Sequence, residues 1–133
     1  MSDTAACEAV AKLGLGHFAK GHPMPPKKYA QCIAACNDCA IACDHCAVSC
    51  LQERDVKMMA ACIANDMDCA ALCRYAVGVM ARDSIHARAV CRLCADVCEA
   101  CGDECGKHEH DHCQACARAC QACAIACREM AAA

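Results

Sequence analysis

The chain has 133 residues and a net charge of −3, and although 59% of its residues are hydrophobic, Ala and Cys supply most of that fraction. Leu, Ile, Val and Phe number only 18, beside 31 alanines and 20 cysteines, too few bulky side chains for an ordinary core. Acidic and basic residues are interspersed without a Lys/Arg stripe, which excludes a nucleic-acid footprint, and no run of about 20 apolar residues offers a membrane span.

Residues 1–26 read as an extension distinct from the rest of the chain. Thr4 is placed to cap a short helix over Ala5 to Leu13, and Gly21-His22-Pro23-Met24-Pro25-Pro26 then halts any helix, because proline restricts itself and the residue before it. Met1 to Lys12 lacks a positive leader, a continuous apolar stretch and a twin arginine, so a cytoplasmic location is expected. Thiols are kept reduced there. Cys7 lies outside any repeat and reads as an incidental thiol.

Residues 27–133 read as one helical unit. The first helix, about Lys27 to Gln52, carries Cys32, Cys36, Cys39, Cys43, Cys46 and Cys50 in steps of 4, 3, 4, 3 and 4. A tight connection near Glu53-Arg54-Asp55 leads to a second helix, about Asp55 to Ala81, with Cys62, Cys69 and Cys73; Asp66 stands where the rhythm asks for another sulfur. Asp83-Ser84 predicts an N-cap pair for a third helix ending near Cys105, with Gly106 at its C′ position. That helix holds Cys91, Cys94, Cys98, Cys101 and Cys105. A His-rich link, Lys107 to His112, precedes a fourth helix from about Asp111 to Met130 with Cys113, Cys116, Cys120, Cys123 and Cys127. Steps of three and four are the seam of a helical bundle, and short links favour antiparallel neighbours. The expected fold is all-α: an antiparallel up-down-up-down four-helix bundle with a short N-terminal helical extension.

A seam of thiols is a poor stabiliser and a good trap for soft metal. Disulfides within a helix are excluded, since i,i+3 and i,i+4 β-carbons stand roughly 5–6 Å apart and a bridge needs about 3.5–4.5 Å. Iron–sulfur ligation wants cysteines converging at loop spacings, and a thiol oxidoreductase wants one exposed reactive pair; neither pattern is here. Zn²⁺ wants four ligands converging on one point, whereas paired sulfurs on stiff helices suit the linear and trigonal preferences of Cu(I). Charge agrees. Bare buried thiolates each cost several kcal/mol, but a monovalent ion replacing each thiol proton leaves the core near neutrality. A capacity on the order of 15–20 ions per chain corresponds to about one ion per sulfur.

These alternating C-x-x-x-C and C-x-x-C blocks, over residues 27 to 130, resemble the four-helix-bundle copper storage proteins, in particular their cytosolic branch. The resemblance implies a bundle filled with Cu(I), assembled as a homotetramer, that sequesters copper and releases it to other ligands. Asp66 departs from a full cysteine file, so metal there is expected to be sparser or differently coordinated.

Extending each seam past its last cysteine distinguishes the two ends. At one end Met59 precedes Cys62 in phase and His108 comes after Cys105 in phase, with Met58, Glu109, His110 and His112 nearby. Thioether and imidazole are neutral donors weaker than thiolate toward Cu(I), which suits capture, so this end reads as the mouth, with His108 and Met59 as ligands. The in-phase residues at the other end, Tyr29, Met80, Ala87 and Met130, read as an apolar plug. His17, His22, His45 and His86 keep no phase with the thiols and are expected on the surface. The function expected is Cu(I) storage without a catalytic step; the rivals are a general soft-metal detoxifier or metal-responsive regulator, of which a regulator would need few sites and a DNA-binding element, and a thiol redox buffer, which would bind few Cu(I) ions.

Overall fold

The computed structural model describes residues 25–133, so the expected helix over Ala5 to Leu13 and most of the proline-rich linker lie outside the described residues. Four helices succeed one another: α1, Ala30–Leu51; α2, Ala60–Ala81; α3, Ala87–Gly106; and α4, Asp111–Ala132. Short 3₁₀ turns at Lys27–Tyr29 and Val56–Met59 lead into α1 and α2. Each helix packs against its chain neighbours, and α4 closes the ring against α1. This is the antiparallel up-down-up-down bundle that the short links require.

The helices form because alanine, the strongest helix former, is plentiful in each, and they pack closely because small residues flank the seam. Ala40 and Ala47 on α1, Ala70 on α2, Ala95 and Gly102 on α3, and Ala117 and Ala124 on α4 each stand directly after a seam cysteine. All seven are buried. Cysteine reaches only one atom beyond its β-carbon, so sulfurs on facing helices meet only if the backbones draw near. Gly102 marks the tightest approach: a β-carbon there would lie 3.3 Å from Cys120 Cβ and 3.4 Å from the Ala117 carbonyl oxygen.

Three helix ends differ from their sequence reading. Asp83 does not open α3; it ends α2 in the left-handed region at φ 50°, with its N–H donating to the Met80 carbonyl and the Ser84 N–H to that of Val79. That pair of bonds is a Schellman closure, with an aspartate taking the place usually given to glycine. Ser84 instead accepts the His86 N–H at 3.1 Å, and α3 begins at Ala87. Gly106 is the last helical residue rather than the C′ residue, and its Cα side faces Ala117. The free carbonyls of Gly106 and His108 are taken by Gln114 Nε2 at 3.1 and 2.7 Å, which ties the start of α4 to the end of α3. The helix expected from Asp55 starts as the 3₁₀ turn over Val56–Met59 and becomes α-helical at Ala60.

Candidate metal centre

All nineteen seam cysteines point into the bundle, all are free thiols, and none but Cys32, at 2%, shows any exposure. Their sulfurs are in mutual contact along the whole axis. Within helices, Cys46–Cys50 and Cys94–Cys98 lie 3.8 Å apart and Cys69–Cys73 4.0 Å. Between adjacent helices, Cys39–Cys69, Cys43–Cys120 and Cys36–Cys123 lie at 3.6 Å and Cys69–Cys98 at 3.5 Å. Even diagonal partners touch, Cys43–Cys101 at 3.9 Å and Cys73–Cys123 at 3.8 Å. The core is therefore one continuous column of sulfur. Quartets such as Cys39, Cys69, Cys73 and Cys98, or Cys43, Cys101, Cys116 and Cys120, keep all their sulfurs within 4.8 Å of one another.

Asp66 interrupts the column on α2 and is fully buried. Its Oδ1 accepts thiol protons from Cys105 and Cys116 at 3.2 Å and from Cys101 at 3.3 Å. Burial without a cation, reinforced by repulsion from Cys116, pushes its carboxyl up to about 8. Burial likewise pushes the Cys50 thiol up to about 11 and raises that of Cys113. Burial thus favours the protonated forms of Asp66, Cys50 and Cys113, and a soft cation binding beside them must displace those protons.

At the histidine end the structure turns toward the thiols a histidine that seam phase passed over. His112, in the first turn of α4, directs Nδ1 to Cys46 and Cys113 at 3.5 Å and to Cys50 at 3.9 Å. Its Nε2 donates to Glu53 Oε1 at 3.0 Å. A carboxylate can only accept, so the proton sits on Nε2 and the Nδ1 lone pair faces the sulfurs. Cys46, Cys50, His112 and Cys113 form a compact four-donor set. His110 stacks on His112 with ring centroids 5.3 Å apart, its own Nε2 donating to Asp55 Oδ1 at 3.2 Å. His108 lies in the same end but donates Nε2 to Glu104 Oε1 at 3.2 Å rather than turning to the thiols. Met59 is fully buried in the core cluster at the start of α2.

A model of the copper storage protein family matches residues 26–132. The chain belongs to that family. Among copper storage relatives of known structure, it is 52% identical to the Cu(I)-bound BsCsp3 of Bacillus subtilis, covering 79% of this chain and 99% of the other with a TM-score of 0.77. A cytosolic copper storage protein from Streptomyces lividans, solved with five coppers, is 44% identical over 80% of this chain and 94% of its own, with a TM-score of 0.78. The cysteine-rich protein YhjQ of Bacillus subtilis (strain 168) is 55% identical over 101 residues, 76% of this chain and 94% of the relative.

Two features of the centre had a signal in the sequence that spacing alone did not use. A small residue directly after a seam cysteine recurs at seven-residue intervals, at 40 and 47, 95 and 102, and 117 and 124. His112 stands next to Cys113, one position off the seam, and the length of an imidazole lets it reach inward from there. No helix is long and apolar enough to cross a membrane among the described residues.

Proposed function

We propose that this chain is a cytosolic store for Cu(I), held on the thiolates of the bundle core at on the order of 15–20 ions and handed on to other ligands without a catalytic step. The observation that carries this reading is the column of nineteen buried free thiols, all but Cys91 in contact with another thiol along or across the helices and broken on α2 only by Asp66. Linear and trigonal sites can be drawn from any neighbouring two or three sulfurs, and each Cu(I) that replaces a proton leaves the core uncharged. Asp66 supports an oxygen-assisted site among Cys62, Cys101, Cys105 and Cys116. His112 supports a nitrogen-assisted one among Cys46, Cys50 and Cys113. Met59 and His108 flank the mouth, where copper is taken in. Residues 1–26 stand apart from the storage bundle.

A homotetramer fits the exposed apolar side chains Ile41 and Val48 on α1 and Met67 and Tyr75 on α2, which the single chain leaves uncovered. The deciding experiment is an anaerobic titration of fully reduced protein with Cu(I) against a competing chelator. Uptake that stops at a few ions per chain ends the storage reading, whereas saturation near one ion per thiol supports it. Sedimentation of the loaded protein reads the assembly.

A further inference from the structure

The end of the bundle opposite the histidines is not a uniform seal. Tyr29, Met80 and Ala87 are buried there, but Met130 is only partly so. Two recesses open beside it, and Lys28 and Met130 line both. One, of about 120 Å³, has Cys91 in its wall together with Arg88 and Tyr29. The other, of about 110 Å³, has Cys32 in its wall with Gln31 and Glu129. These are the last sulfurs of the column, and each is distinctive. Among the described thiols, Cys32 is the one with any exposure, and Cys91 alone has no thiol–thiol hydrogen bond within 4.0 Å. The α2 side of this layer offers Ala76, Val79 and Met80 instead of sulfur. Copper held here has fewer neighbouring donors than anywhere else in the core.

Charge separates the two ends. Glu53, Asp55, Glu104, Glu109 and Asp111 outnumber Arg54, Lys57 and Lys107 around the histidine end. Lys28 and Arg88 stand over the recesses at the other; Lys28 lies 3.7 Å from Asp83, and Arg88 has no ion-pair partner among the described residues. We propose that this second end is a discharge port, through which a low-molecular-weight thiol bearing a carboxylate removes Cu(I) from Cys91 and Cys32, its carboxylate held by Lys28 and Arg88. The step is ligand exchange. The copper–sulfur bond to the cysteine breaks as one to the incoming sulfur forms, the incoming thiol's proton passes to the cysteine Sγ, and copper stays monovalent. A recess of this size takes a thiol and the methylenes behind it, leaving the carboxylate at the rim. An anion meets the opposite field at the histidine end.

This inference rests on the storage reading, and one experiment separates their fates. The full chain is first loaded anaerobically and its Cu(I) content counted; failure to load many ions overturns both. Copper release is then timed with 3-mercaptopropionate, 2-mercaptoethanol and cysteamine at matched thiolate concentration, a bulky chromogenic chelator reporting freed copper. The expected result is that the anionic thiol outruns the cationic one by about threefold to tenfold, with the gap closing at high salt. The paired substitutions Lys28→Glu and Arg88→Glu, both on exposed side chains, erase or invert that order without changing the number of ions loaded. Met130→Ala widens the opening and speeds release by all three thiols. A protein that loads fully but releases copper at rates indifferent to thiol charge, to the paired substitutions and to Met130→Ala overturns the port alone.

Discussion

At the histidine end the sulfur column finishes among ionisable side chains, and at the other it finishes against Met80, Ala87 and Tyr29. The first end is organised by hydrogen bonds: Glu53 orients His112, Glu104 holds His108, and Asp66 gathers three thiols a turn further in. The second is organised by packing, with one half-buried polar tie, Tyr29 donating its hydroxyl to Asp83 at 2.9 Å. A core of short side chains has little apolar bulk to spend on stability, so the bulk is concentrated at the end poorest in donor atoms. If copper enters at the histidine end, capture and cohesion fall to opposite halves of one column. Substitutions should reveal that division as two independent sets of effects.

The largest effect is expected from Asp66, in the histidine-side half. Its carboxyl is raised to about 8 in the fold, from an ordinary value of 3.8. The native state therefore keeps a proton that the unfolded chain has lost between those limits. The stability it contributes is fully present below the ordinary value and is lost as pH rises through about 8, with a limiting slope of about 1.4 kcal/mol per pH unit. Asp66→Asn should flatten that decline in metal-free protein. Urea unfolding at several pH values under reductant measures both slopes, and parallel slopes would contradict the assignment. Met80→Ala, in the packed half, is the next largest. Removing a fully buried methionine should cost about 2–5 kcal/mol at every pH, with no change in slope and none in the rate of copper uptake. A Met80→Ala variant slow to load would break the division between the ends.

The bundle and its metal chemistry were legible because cysteine sits on the seam itself. Nineteen residues that repeat at three and four fix both the helical period and the inward face, and no other feature of the chain competes with that pattern. What spacing could not supply was distance. Whether sulfurs on different helices touch depends on Ala40, Ala95, Gly102 and Ala117 beside them, whose alanines also suit a helix and so carried no separate message. Helix ends were harder still. His108 keeps seam phase only if α3 runs past Gly106, and Lys107 instead caps it. Once the helix stops, phase has no meaning, and the imidazole that reaches the thiols is the one anchored in the next helix. Asp83 was misplaced for a related reason: aspartate serves both to open a helix and to occupy the left-handed position that closes one, and only the bonds to Met80 and Val79 decide.

The smallest expected effect bears most directly on capture. If His112 Nδ1 is the first donor a copper ion meets on its way to Cys46, Cys50 and Cys113, then His112→Ala should slow loading from a chelated donor by about tenfold, equivalent to about 1.4 kcal/mol. Capacity should change by no more than the ion that Nδ1 helps to hold. Glu53→Gln should act in the same direction and more weakly, because the ring remains but its tautomer is no longer fixed by a carboxylate. A glutamine can present either an N–H or a carbonyl to Nε2, so part of the population would carry its proton on Nδ1, facing the sulfurs. About threefold is the size expected when a hydrogen bond that sets ligand orientation is weakened rather than lost. The control is His108→Ala, whose ring is held by Glu104 away from the thiols. Stopped-flow loading with limiting Cu(I) ranks the three; a His108→Ala defect equal to that of His112→Ala would mean that copper is received outside the four-donor set and only later passed to it.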